Sequence, residues 1–99
     1  MGLGYALSEH LVIRDGQVLT PTFMDYAMLK ADDMPPIVVK FVGVPDAEGP
    51  FGAKGLGESG AVPVSAAVAN AVKDAIGIRF TTLPITPAAV HAALQESRP

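Results

Sequence analysis

Gly52-Ala53-Lys54-Gly55-Leu56-Gly57-Glu58-Ser59-Gly60 divides the chain into two kinds of sequence. Before it the residues read as strands and turns; after it they begin as a helix. Four glycines, one cation and one carboxylate fall within this stretch. Glycine lets a backbone approach a ligand closely, because no side chain stands in the way. The amides of such a loop can face an anion, and Lys54 can add charge. Glu58 would then stand where the loop delivers the ligand.

The spacing excludes two familiar loops. A Walker A loop needs Gly-Lys followed by Ser or Thr, whereas here Ala53 precedes Lys54 and Gly55 follows it. A dinucleotide fingerprint needs a different glycine spacing in a βαβ setting. From spacing alone, a tight turn leading into the next helix remains an equal alternative. Glu58 has its own structural alternative, which is to stabilise a helix dipole.

Downstream, Val64, Val68, Ala71, Val72, Ala75 and Ile76 recur at helical spacing, which predicts a helix over about residues 62–76. Ala66, Asn70 and Lys73 fall on the opposite side. Pro63 is tolerable in the first turn, and Gly77 supplies the stop. Residues 80–83 read as a short strand. Thr86-Pro87 then opens a last helix, with Thr86 as N-cap and proline at the first helical position. Ile85 and Val90 stand where a hydrophobic staple would place them. The chain is expected to fray over residues 95–99.

Upstream, Leu3 and Leu7 share a helical face within residues 2–9. No N-cap precedes them, so this reads as the tail of an element whose beginning lies elsewhere. Asp15-Gly16 joins residues 11–14 to 17–20, a strong hairpin signal because both central turn positions need positive φ. Pro21 stops the second strand. Residues 22–36 admit a short helix or an irregular apolar turn. Asp32-Asp33 lacks further oxygen ligands at EF-hand spacing and reads as a solvated turn. Residues 37–44, β-branched and bounded by prolines, read as a third strand.

The whole chain has 99 residues, one domain at most, with net charge −3 and no cysteine. There is no basic cluster, so nucleic acid is not an expected partner. Disulfides and thiolate metal sites are excluded, which suits the cytoplasm. No apolar run approaches the roughly 18 residues that span a bilayer, and no signal peptide is visible. Charged residues make up only 17% against 49% hydrophobic ones. So small a domain should need more polar surface, which points to an apolar face covered by another chain or domain. His10 and His91 are far apart and near no acidic cluster. No serine has a nucleophile-elbow context. The fold class expected is α+β: a β-hairpin and further short strands packed with two C-terminal helices.

The ordered run of motifs resembles a known family. Phe51-Gly-Ala-Lys-Gly-Leu-Gly-Glu58 and Asn70-Ala-Val-Lys-Asp-Ala-Ile-Gly77 look like the C-terminal end of the molybdenum-cofactor subunit of the xanthine dehydrogenase/aldehyde oxidase family. Gly2-Leu-Gly-Tyr-Ala-Leu-Ser-Glu9, Asp15-Gly-Gln17, Thr22-Phe-Met-Asp-Tyr-Ala27, Ala31-Asp-Asp-Met-Pro35 and Leu83-Pro-Ile-Thr-Pro87 follow in family order. The resemblance implies hydroxylation at an sp² carbon, with oxygen from water. It implies that Glu58 is the catalytic base and that Gly55, Leu56 and Gly57 lie against a molybdopterin-type cofactor, with Lys54 supporting the loop.

The family's other cofactor segments, substrate pocket, iron–sulfur centres and flavin are not within these residues. The expectation is therefore a single partial domain over residues 1–99. It would act with the upstream part of the molybdenum subunit and with iron–sulfur and FAD subunits or domains. It would not bind the cofactor tightly alone, because a small-molecule site needs several segments. Two alternatives stay open: an inactive remnant that folds and self-associates, and an anion-binding module.

Overall fold

The locally encoded elements form where turn and cap chemistry places them. The computed structural model describes residues 1–98. They carry helix α1 (Gly2–Leu7), strands β1 (Ile13–Arg14) and β2 (Gln17–Val18), helix α2 (Val64–Ile76) and helix α3 (Pro87–Glu96). Short 3-10 turns lie at Ala31–Asp33 and Pro50–Gly52. This is an α+β arrangement.

The hairpin follows its turn. Asp15 and Gly16 have φ of 50° and 76°, the left-handed pair that a tight two-residue connection requires. β1 and β2 pair antiparallel, Ile13 opposite Val18 and Arg14 opposite Gln17. Pairing extends past the strands, since the Leu19 amide donates to the Val12 carbonyl at 2.8 Å. The Val12 amide donates to Thr20 Oγ1, and that hydroxyl donates to the His10 carbonyl.

Residues 22–26 form an irregular turn. The Tyr26 amide donates to the Thr22 carbonyl at 2.8 Å, and the Thr22 hydroxyl donates to Asp25 at 2.8 Å. Two bonds return this turn to the end of α1. Tyr26 Oη donates to Glu9 Oε2 at 2.7 Å, and the Ser8 hydroxyl donates to the Ala27 carbonyl at 2.8 Å. Asp33 accepts from the Lys30 amide at 2.8 Å, so it caps its own turn.

α2 ends at Gly77, whose φ of 77° is the left-handed C-terminal stop, and whose amide donates to the Lys73 carbonyl. Thr86 caps α3, accepting from the Ala89 amide at 3.2 Å, with Pro87 beginning the helix. α3 persists to Glu96 rather than fraying at Gln95; residue 99 lies outside the described residues.

α1 packs on α2 through a glycine notch. A Cβ at Gly2 would stand 2.6 Å from Val64 Cβ, so only glycine permits this approach. The core is small. Ala6 and Ile85, 0% and 3% exposed, are the buried apolar residues among those described. The Ile85 amide also donates to the Ala6 carbonyl at 2.7 Å, tying the α3 approach to α1.

Three expectations need correction. Residues 37–44 are not a paired strand, because among the described residues no backbone group from 35 to 45 finds a hydrogen-bond partner and the sheet has two strands. Residues 80–83 form no strand either, since the following amides bond to Ala6 and Pro84 instead. On α2 the half-buried stripe is Val64, Ser65, Val68, Ala69, Val72 and Ile76, while Ala71 and Ala75 are exposed. Contact with α1 beside Val64 turns the helix toward Ser65 and Ala69.

Much apolar surface is uncovered. The chain exposes 8192 Å², where a compact monomer of this mass would expose about 5,300 Å². Its radius of gyration is 18.0 Å, against about 13 Å for a compact domain of this length. The low charge content of the sequence is thus visible as exposed Phe23, Met24, Val38, Phe41, Val42 and Phe51.

Candidate functional site

The loop begins from a strained turn. Residues 45–53 fold back on themselves, the Asp46 amide donating to the Gly52 carbonyl at 3.1 Å and the Ala53 amide to the Pro50 carbonyl at 3.0 Å. Phe51 sits at φ 54° and Gly52 at φ 78°. A bulky residue in that region is an outlier, and Phe51 is fully exposed.

From Lys54 to Glu58 no backbone amide donates to a carbonyl of the described residues. Gly57 takes φ 56°. A Cβ at Gly55 or Gly57 would meet nothing within 4 Å, so the loop's own face is open. The chain then tightens into turns: the Ala61 amide donates to the Glu58 carbonyl at 2.8 Å, and the Ser59 hydroxyl to the Leu56 carbonyl at 2.8 Å. These turns fix the backbone of Glu58 and lead into α2.

The structure divides the predicted residues between two hollows. Lys54, Gly55 and Leu56 line one of about 550 Å³, together with Phe41–Pro45 and Gly52. Glu58 lines another of about 210 Å³, with Met1, Tyr5, Ala61, Val62 and Ser65. Gly57 lies between the two in sequence and lines neither. All five residues from Lys54 to Glu58 are exposed.

Glu58 stands six residues before Val64, where α2 begins. That is beyond the first turn, over which a helix dipole acts, so dipole stabilisation does not account for this carboxylate. Tyr5 and Met1 share its hollow and were not singled out by sequence reasoning. They come from α1 and its N-cap, and no local pattern links them to residue 58.

The remaining candidates fall elsewhere. His10 is exposed beside the hairpin. His91 lies on α3, at the rim of an apolar groove lined by Leu7, Val72, Ile85, Val90 and Leu94. Among the described residues no three of His, Cys, Asp and Glu gather to hold a metal. Among the described residues no helix is long and apolar enough to cross a membrane.

Comparison with known proteins gives this geometry a setting. Residues 1–35 match the molybdopterin cofactor-binding domain family. The chain is 42% identical over 89 residues to the xanthine dehydrogenase molybdenum-binding subunit of Escherichia coli O157:H7, covering 88% of this chain and 12% of that protein. It is 43% identical over 100 residues to the gamma subunit of the 6-hydroxypseudooxynicotine dehydrogenase complex of Paenarthrobacter nicotinovorans, covering 95% of this chain and 12% of that one. The crystal structure of quinoline 2-oxidoreductase from Pseudomonas putida 86 superposes with a TM-score of 0.82 at 34% identity, over 99% of this chain and 13% of that one. The chain thus spans about an eighth of the length of these relatives. By sequence and by fold it belongs, as a segment, to the molybdenum-binding subunits of the xanthine dehydrogenase/aldehyde oxidase family.

Proposed function

We propose that the chain supplies the C-terminal piece of a molybdenum hydroxylase, in which Glu58 is the catalytic base and Lys54, Gly55, Leu56 and Gly57 contact the cofactor. The observation that carries this reading is the loop itself. Lys54–Glu58 offer amides without a carbonyl acceptor among the described residues, beside a cation, and turns hold the backbone of Glu58, which lines a hollow.

These residues fit one wall of a site for an oxygen-rich, anionic group. Backbone donors without acceptors suit such a group, and the open space at Gly55 and Gly57 lets it approach. A molybdopterin-type cofactor, when bound, supplies the redox chemistry of hydroxylation. Lys54 adds positive charge to the loop. Glu58 accepts a proton, and an anionic group beside it raises a carboxylate's pKa toward the range where a base works well. The other walls come from the upstream part of the subunit, because one loop does not make a concave pocket. Iron–sulfur and FAD subunits or domains take the electrons onward.

Co-expression with that upstream part tests the reading. The complex is expected to co-purify with molybdenum. Glu58→Gln is expected to lower turnover by about 10²–10⁴-fold while leaving assembly unchanged. Unchanged turnover in an assembled complex sinks the assignment of Glu58.

The exposed apolar surface also supports a second reading, an inactive piece that self-associates. That reading expects a metal-free homo-oligomer and no complex with upstream segments. Solution mass and metal analysis separate the two.

A further inference from the structure

Residues 37–44, between Pro35-Pro36 and Pro45, carry no helix, strand or turn. All are exposed, Phe41 by 90% and Val42 by 99%. No backbone group among them has a backbone partner within the described residues. Ile-Val-Val-Lys-Phe-Val-Gly-Val has the composition of a strand, with no proline inside it and Lys40 as its one charge. Low charge, β-prone residues and two bare edges make a template for pairing with a like segment.

Length and charge choose the mate. The hairpin strands have two residues each and are already paired, so no other edge among the described residues matches this one. The same segment of a second copy does, and Pro36 and Pro45 stop the ladder at the same places on both. Parallel pairing in register would stack Lys40 on Lys40 about 4.8 Å away, a destabilising like-charge pair. Antiparallel pairing in full overlap sets Ile37 opposite Val44, Val38 opposite Gly43, Val39 opposite Val42 and Lys40 opposite Phe41. The lysine stem and charge then meet an aromatic ring. In this register every odd-numbered residue faces an even-numbered one. Lys40 residues of adjacent copies therefore fall on opposite faces of the sheet. Those that share a face stand about 9.6 Å apart, beyond the Debye length of physiological salt.

The same parity decides whether the contact closes. One edge of a strand presents the backbone groups of its odd residues, the other edge those of its even residues. Full overlap joins the odd edge of one copy to the even edge of the next. Such a contact is heterologous, and it leaves a bare edge at each end for a further copy. We propose that, in the chain by itself, residues 37–44 pair antiparallel with residues 37–44 of a second copy in the full-overlap register, and that this contact repeats into an open-ended sheet. The proposal deepens the self-associating reading and uses nothing of the assignment of Glu58.

The test follows the full chain alone from micromolar to millimolar concentration. Sedimentation is expected to show a mass that keeps rising with concentration. Amides of residues 37–44 are expected to gain protection from hydrogen exchange of roughly 100-fold or more, because solvated donors become ladder donors. Val39→Pro removes one such donor and should raise the concentration needed for association by about tenfold or more. The Val39 backbone has no backbone partner in the single chain, so circular dichroism of dilute Val39→Pro should match that of the parent. The chain has no cysteine, so Val39→Cys and Val42→Cys report the register. Mixed and oxidised, these two variants should form the 39–42 disulfide faster than either forms one with itself.

A chain that stays monomeric throughout overturns the proposal. An oligomer whose 37–44 amides exchange freely also overturns it, and leaves self-association through another surface standing. Association of Val39→Pro like that of the parent removes this segment from the contact. A mass that stops at a dimer, or self-disulfides that outpace the mixed one, overturns the full-overlap register. Turnover of Glu58→Gln in an assembled enzyme moves none of these readouts, so the catalytic reading is scored separately.

Discussion

The amide of Ile85 donates to the carbonyl of Ala6 at 2.7 Å, and among the described residues these are the two whose apolar side chains are buried. That bond joins the start of the chain to the approach to α3. Ile85→Ala removes most of the larger side chain of this pair. The expected loss is about 2–5 kcal/mol, read from the urea midpoint of the folded assembly. A change below about 0.5 kcal/mol would show that the pair does not hold the fold together.

Gly2 and Val64 form a second coupled pair. Gly2→Ala places a methyl group where Val64 already stands, and should cost about 1–3 kcal/mol. Val64→Gly vacates that space, the Cβ at 2.6 Å included. The double variant should therefore be more stable than the sum of the single losses predicts, a coupling that a denaturation cycle measures directly.

Tyr26 gives the chain an alkaline sensitivity. Its hydrogen bond to Glu9 raises the phenol above its ordinary value of 10.0, with desolvation and the Glu9 charge adding to the effect. The folded state thus holds this proton more tightly than the unfolded one. The stabilisation is complete below about pH 10 and is lost as pH rises through the folded-state value. Melting temperatures from pH 9 to 12 should fall less steeply for Tyr26→Phe than for the parent. Parallel slopes would remove Tyr26 from the account.

Thr86→Ala tests the cap of α3. Losing the acceptor for the Ala89 amide should cost about 0.5–2 kcal/mol, and Thr86→Ser should restore most of it. Equal stability of all three would mean that Pro87 alone starts the helix.

What the sequence made legible is what neighbouring residues settle among themselves. Asp15-Gly16 specify their turn because both accept positive φ, and Thr86-Pro87 and Gly77 begin and end helices through bonds within one turn. The bond from Ile85 to Ala6 was not legible, because nothing near either residue points to the other. Residues 37–44 have the composition of a strand, but a ladder needs a second edge, and none pairs with them among the described residues. Ala71 and Ala75 match the apolar period of α2, yet contact with α1 decides which side is covered. At the site, the glycine loop and Glu58 stood out in sequence. Tyr5 did not, because only the packing of α1 brings it to the same hollow.

The bareness of residues 37–44 bears on how variation in this protein should be scored. A mutational survey that ranks substitutions by the yield or melting point of the lone chain would record Val38 and Phe41 as indifferent positions, since neither supports anything there. A measurement of solubility or association would rank the same positions differently, because bare apolar side chains meet other surfaces. The disagreement between those two rankings, residue by residue, would separate positions that hold the fold from positions that only meet other surfaces.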